Sequence, residues 1–400
     1  MKFNPTTNYS LVTGAYWIFT LTDGALRMLV LLYFYSFGYD AFEIALLFLF
    51  YELAGIFTNL IGGWIGARLG LKSTLLAGLF LQVVALSALA NINVDWPIWK
   101  SIGFVMAMQA LSGVAKDLTK MSSKSAVKLV IGEGKQQVLF KWVAALTGSK
   151  NALKGIGFFM GGFLLTWLGF SMALYSMAIA IIFAVLLAIA TANLGKSSER
   201  PKLAGILSKE PKINILSGAR FFLFGARDIW FVVGLPIFLA AELGWSHTEI
   251  GSYMAFWIIG YGIVQAIAPK LVIGNEKSAT YWIFILMMVT TLMAFGIYFG
   301  VYPSLTILLG LVVFGIIFAI NSSIHSFLIL NYSKNDQVLL NVGFYYMANA
   351  GGRLVGTLIS GLAYQLGGIL SCLLFSLLFL SMNWLITSAL SRSHNLYLRD

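Results

Sequence analysis

An apolar run long enough to cross the ~30 Å hydrocarbon core of a bilayer must satisfy its backbone hydrogen bonds internally, so it can only be a helix or part of a closed barrel. At about 1.5 Å of rise per residue, roughly twelve runs in this chain are long enough to cross as helices. They cover 9–37, 41–67, 73–92, 98–118, 138–168, 171–193, 213–241, 249–270, 279–300, 305–331, 339–366 and 369–390. The longest polar interruption, LGKSSERPKLAGILSKEPK over 194–212, divides them six and six. The expected fold class is an all-α polytopic membrane protein with an amino-terminal six-helix half over 1–193, a cytoplasmic linker over 194–212 and a carboxy-terminal half over 213–400. Only 10% of residues are charged, against about a quarter in soluble domains. The net charge of +11 therefore has no polar domain on which to form a nucleic-acid-binding face, and no nucleic-acid partner is expected.

Basic residues set the orientation, because cytoplasmic loops retain Lys and Arg. Lys100 is the one basic residue assigned to the side opposite the amino terminus, so both termini are expected in the cytoplasm. The polar start, MKFNPTTNYS, leads into an apolar run of full membrane length with no small-residue cleavage site, which reads as a retained first span. A single cysteine, Cys372, excludes an intrachain disulfide framework and a thiolate metal cluster within one chain. No cofactor, no metal and no enzymatic nucleophile–base constellation is expected, and a monomer in the lipid bilayer is the expected state. The three histidines, His247, His325 and His394, suit structural or solvated roles better than proton transfer.

Six spans, a basic loop and six more resemble the major facilitator superfamily, whose halves are related by a pseudo-two-fold axis around a central cavity. An internal match supports the duplication: TGAYWIFTLTDGALR from Thr13 aligns without gaps to SGARFFLFGARDIWF from Ser217, pairing Gly14 with Gly218 and Asp23 with Arg227. NALKGIG and NAGGRLVG match with one insertion, which places Lys154 and Arg353 at equivalent points of the two halves. The loop GGWIGARLGLKST resembles the superfamily's loop signature at Gly63, Arg68, Gly70 and Lys72, while Ala67 stands where an aspartate is expected.

A charge at the bilayer centre costs at least ~2.5–3.5 kcal/mol, so it normally faces a cavity or a partner. Seven cations fall inside the spans, Arg27, Lys116, Lys150, Lys154, Arg220, Arg227 and Arg353, against four anions, Asp23, Glu52, Asp117 and Asp228. Ammonium and guanidinium groups in excess suit phosphate and carboxylate oxygens. A small multivalent anion is the expected substrate, where a cation exporter would need surplus carboxylates. Depth and a shortage of acidic neighbours in sequence single out Arg27, Lys150, Lys154, Arg227 and Arg353 for substrate binding. Asp23 stands four residues before Arg27, the spacing of an intrahelical ion pair. The four anions are candidates for proton coupling or for charge pairing, with Glu52 expected to pair across helices. Asn321, Ser322 and Ser323 in FAINSSIHS are possible hydrogen-bond donors.

Lys116, Lys120, Lys124 and Lys128 recur every fourth residue and so share one helical face. Two readings stand: a positive-inside anchor on anionic lipid, and a funnel that concentrates an anion at the cytoplasmic mouth. Lys116, Lys120 and Arg220 are accordingly expected near a cytoplasmic entrance.

The stretches YWIFTLTDGALRMLVLL, ALSGVAKDLTKMSSKSAVKLV and LTGSKNALKGIGFF resemble the ArsJ family of organoarsenical efflux transporters. The resemblance implies export of 1-arseno-3-phosphoglycerate across the bacterial inner (plasma) membrane. It also implies arsenate resistance and a functional link to the glyceraldehyde-3-phosphate dehydrogenase that makes this ester. An antiporter of another organophosphate or sugar phosphate is the alternative, since it would share the same cations. Proton antiport and exchange for external phosphate both remain open as the driving reaction.

Overall fold

The computed structural model describes residues 5–93, 95–131, 136–191, 210–332 and 338–396. The linker expected over 194–212 lies outside them as far as 209. Also outside are the surroundings of Gly63 and the side chains of Arg68, Lys124, Lys128 and His394. The architecture is all-helical: α1 (Pro5–Ser36), α2 (Ala41–Leu47), α3 (Leu49–Leu69), α4 (Leu71–Ala90), α5 (Ile98–Ile131), α6 (Gln136–Ala190), α7 (Pro211–Phe231), α8 (Gly234–Ala241), α9 (His247–Leu271), α10 (Glu276–Tyr298), α11 (Pro303–Tyr332) and α12 (Val338–Leu396).

Among the described residues ten helical stretches are long and apolar enough to cross a membrane, and two of them are far too long to cross once. The 55 residues of α6 would reach about 80 Å as a straight helix. Gly169 interrupts it with φ 71°, left-handed backbone that glycine adopts without a Cβ penalty. Phe170, the next residue, stacks on Tyr33 of α1 with ring centroids 3.9 Å apart. In α12 the interruption falls at Gly367 and Gly368. Counting each interrupted helix as two gives twelve spans, and the breaks lie at the boundaries expected from sequence.

The chain forms two compact units. The first comprises Met1–Phe37, Phe50–Leu203 and Ser246–Ile258, and the second Gly38–Leu49, Ala204–Trp245 and Ile259–Asp400. Each unit thus takes one short segment from the other half of the sequence. In the second unit the exchanged helix α2 begins with a capping box, in which the Asp40 carboxylate accepts from Glu43 N at 2.8 Å and Glu43 accepts from Asp40 N at 2.9 Å.

Within each unit the duplicated helices cross at matching residues. A methyl group added to Gly157 of α6 would collide with the Leu21 carbonyl oxygen of α1, and one on Gly356 of α12 would come 2.6 Å from the Gly225 carbonyl oxygen of α7. Leu21 and Gly225 are partners in the alignment that pairs Thr13 with Ser217, and Gly157 and Gly356 are partners in the match of NALKGIG to NAGGRLVG. The internal repeat is therefore a repeat of contacts, with glycine required where backbone meets backbone. Gly157→Val and Gly356→Val should each destabilise the protein by about 1–3 kcal/mol through overpacking. Gly218→Ala, with nothing within 4 Å of the added carbon, should leave the melting temperature in detergent unchanged or raised.

Candidate functional site

In the first unit, α3 opens with Tyr51 and Glu52, and these neighbours receive the two charged residues of α1. The i, i+4 spacing puts Asp23 and Arg27 on one face, and that face meets α3. Both terminal nitrogens of Arg27 donate to Glu52 Oε1, at 3.2 and 3.1 Å, and the Tyr51 hydroxyl donates to Asp23 Oδ1 at 2.7 Å. Lys116 of α5 lies over the same tyrosine ring, its Nζ 4.0 Å from the centroid, a cation–π contact. Asp117, fully buried, accepts from Lys120 Nζ at 2.5 Å and from Thr58 Oγ1 at 2.9 Å, with Lys116 Nζ at 3.9 Å. Lys120 also donates to Asn59 Oδ1 at 3.0 Å. The Lys116–Lys120 face therefore does more than lead outward, since both lysines turn to one buried carboxylate. Sequence reasoning missed Tyr51, Thr58 and Asn59, although all three flank Glu52 within two turns.

Lys154 and Lys150 lie half-buried on α6. Lys154 Nζ is 5.7 Å from the Phe158 ring centroid, and its backbone packs on Gly24. Lys72 of the loop signature caps the end of the sixth span, donating to the Ile189 and Thr191 carbonyl oxygens at 2.8 and 2.6 Å. Carbonyls left open at a helix C-terminus are natural acceptors for an ammonium group. Gly70, just before it, adopts φ 82° at the start of α4.

The second unit repeats the sharing of one carboxylate by two cations. Asp228 of α7, fully buried, accepts from Arg227 Nε at 2.6 Å through Oδ1 and from Arg353 Nε of α12 at 3.1 Å through Oδ2. Arg227 also lies against the rings of Phe224, Phe318 and Phe231. The shortage of acidic partners that singles out Arg27, Arg227 and Arg353 in the sequence is corrected in space, because each reaches a carboxylate supplied by a neighbouring helix or residue.

Arg220, two turns before Asp228, is expected from sequence near an entrance. It is instead 4% exposed. Its Nε donates to Asn349 Oδ1 at 3.0 Å, and its NH1 lies 3.1 Å from Ser322 Oγ and 3.3 Å from Ser322 O. The guanidinium stacks 3.9 Å from the Phe224 centroid. His325, one turn beyond Ser322, is buried and so is not solvated. Asn349 stands inside NAGGRLVG, where no motif marks it as a ligand.

The solved structures on which this chain superposes define its fold, which is that of the major facilitator superfamily. Among them, the nucleoside transporter NupG is 15% identical over 96% of this chain and 99% of its own, with a TM-score of 0.73. A bacterial homologue of the human drug peptide transporters PepT1 and PepT2 is 14% identical over 98% of this chain and 99% of its own, at 0.72. The human organic anion transporter MFSD10 (TETRAN) is 14% identical over 96% of this chain and 100% of its own, at 0.68. Each is a transporter rather than an enzyme. No protein-family model and no curated protein matches the sequence.

The Arg27–Glu52 pair can be tested for a structural role. Glu52→Gln removes the negative charge that meets both Arg27 terminal nitrogens inside the bundle and should cost about 3–5 kcal/mol. The double variant Arg27→Gln, Glu52→Gln should recover most of that loss, read as unfolding midpoints of the purified protein in detergent.

Proposed function

We propose that this chain exports a small multivalent organic anion from the cytoplasm across the bacterial inner membrane, and that the anion is 1-arseno-3-phosphoglycerate. The observation that carries the reading is the sharing of buried carboxylates: Asp117 lies between Lys116 and Lys120, and Asp228 between Arg227 and Arg353. Each triad keeps a net positive charge inside the helical bundle. Such sites favour oxyanions and disfavour cations. The resemblance to the ArsJ family supplies the identity of the anion, and the bis-anionic ester suits a chain with binding charge in both units. Lys150 and Lys154 provide it in the first, and Arg227 and Arg353 in the second. The lysine face from Lys116 serves to draw anions in from the cytoplasmic side. The partner in function is the dehydrogenase that makes the ester, and the transporter works as a monomer.

Lys154→Gln should abolish arsenate resistance while the protein still accumulates in the membrane. Near-normal resistance would remove Lys154 from the site. Arsenite, a neutral hydroxide at physiological pH, offers nothing to surplus positive charge, so the chain should protect against arsenate and not arsenite. Protection should also require the dehydrogenase. Equal protection in matched cells with and without that enzyme would make free arsenate the substrate, and competition of a sugar phosphate for vesicle uptake at equal affinity would favour the alternative antiporter.

Proton exchange is the coupling we propose, through Asp23. Glu52, Asp117 and Asp228 are each bonded to a cation. Asp23 instead accepts from the Tyr51 hydroxyl. Asp23→Asn should uncouple uptake by inverted vesicles from the proton gradient, leaving only downhill flux. If the wild-type rate is unchanged when that gradient is collapsed, phosphate exchange replaces proton exchange.

A further inference from the structure

The cluster around Arg220 takes no part in the triads just described, and its composition is unusual for a buried site. Arg220 is a cation with 4% exposure, and no carboxylate among the described residues bonds to it. Its three hydrogen bonds go to the amide oxygen of Asn349 and to the carbonyl and hydroxyl oxygens of Ser322, all neutral acceptors. A guanidinium offers five N–H donors. Nε and NH1 account for these bonds, and the second terminal nitrogen has no acceptor among the described residues.

The neighbours add donors rather than acceptors. Tyr261 Oη and Gln265 Nε2 reach the same Ser322 hydroxyl, at 3.1 and 3.3 Å. Three donor groups thus converge on one oxygen with two lone pairs. His325 is fully buried, and neither of its ring nitrogens has a hydrogen-bond partner. All six residues, Arg220, Tyr261, Gln265, Ser322, His325 and Asn349, belong to the second unit. Desolvating a guanidinium without a counter-charge is costly, and leaving buried donors unmet adds to that cost. A structural role does not explain why the chain keeps both. What the cluster lacks is negative charge carried on several lone pairs.

We propose that Arg220, with Ser322, Asn349, Tyr261 and Gln265, forms an oxyanion-binding site for a phosphate or phosphate-ester group of a soluble solute. The proposal rests on the anion-transport reading and deepens it, moving Arg220 from the entrance to the binding machinery. The fork of Arg220 supplies the charge and two N–H donors in one plane, the geometry that suits two oxygens of one phosphate. Ser322 and Gln265 then turn their donors from each other to the anion, and His325 gains an acceptor for its N–H.

The experiment uses the full chain purified in a phosphate-free maltoside detergent, titrated with inorganic phosphate, glycerol 3-phosphate, acetate and phosphatidylglycerol, and read by ligand-induced thermal stabilisation. Glycerol 3-phosphate or phosphate should stabilise the wild type. Arg220→Gln should be at least as stable without ligand, because it deletes a buried charge that has no carboxylate, and should lose affinity by about thirtyfold or more. Arg220→Lys keeps the charge but not the fork, and should weaken binding roughly tenfold. Where Arg220→Gln does not fold, Arg220→Lys decides: weakened binding supports the site and undiminished binding overturns it. Retained affinity in Arg220→Gln also overturns it, as does a wild type stabilised by none of the solutes or by phosphatidylglycerol alone. The transport reading fails separately, since it is judged by arsenate resistance in Lys154→Gln and not by phosphate affinity in Arg220 variants.

Discussion

A carboxylate removed from water costs several kcal/mol unless cations and donors replace its hydration. Asp117 and Asp228 are fully buried, and each is met by two cations. Much of the helix arrangement serves that requirement. Adjacent residues on a helix point about 100° apart, so a neighbour in sequence can reach the carboxylate only from the side. The second cation has to come from the next turn, as Lys120 does, or from another helix, as Arg353 does. Arg353 reaches Asp228 because Gly352 and Gly356 let α12 lie against α7 with backbone meeting backbone. Any larger residue at those positions would move the guanidinium away from its acceptor. Packing and electrostatics are thus one constraint at this crossing.

The first unit has the same crossing with a different distribution of charge. In the alignment of the two halves, Gly24 corresponds to Asp228 and Lys154 to Arg353. Where Arg353 finds a carboxylate on α7, the backbone of Lys154 finds glycine on α1. The carboxylate of the first unit has shifted one residue earlier, to Asp23, and there it accepts from a phenol. Duplication therefore preserved the helix contacts and let the charges diverge.

Much of this was legible in the sequence because membrane helices obey few rules. Length and apolarity fixed the spans, and Gly169 and the Gly367–Gly368 pair broke two runs where six-and-six counting required it. The intramembrane charges could be picked out because hydrocarbon makes each one conspicuous. Their partners could not be read in the same way. Asp23 and Arg27 have the spacing of an intrahelical pair, yet the face they share meets α3, so Tyr51 and Glu52 receive them. Arg220 and Arg227 look alike in GARFFLFGARDIW, and only the fold separates a guanidinium bonded to Asp228 from one held by Ser322 and Asn349. Neutral acceptors leave no signature in a chain with so many serines and asparagines in helices.

The difference between these arrangements bears on which of them can exchange ligands. Both terminal nitrogens of Arg27 donate to Glu52, so an anion that took this guanidinium would have to displace a buried carboxylate. That step carries the cost of a broken buried pair. Asp228 is shared, so a substrate anion can take one guanidinium while the carboxylate keeps the other, and neither charge is stripped bare at any point. Arg220 requires still less, because neutral oxygens surrender a guanidinium to an anion without leaving a charge behind. Of the guanidinium groups, Arg220 is therefore the one an anion can take by displacing neutral oxygens alone.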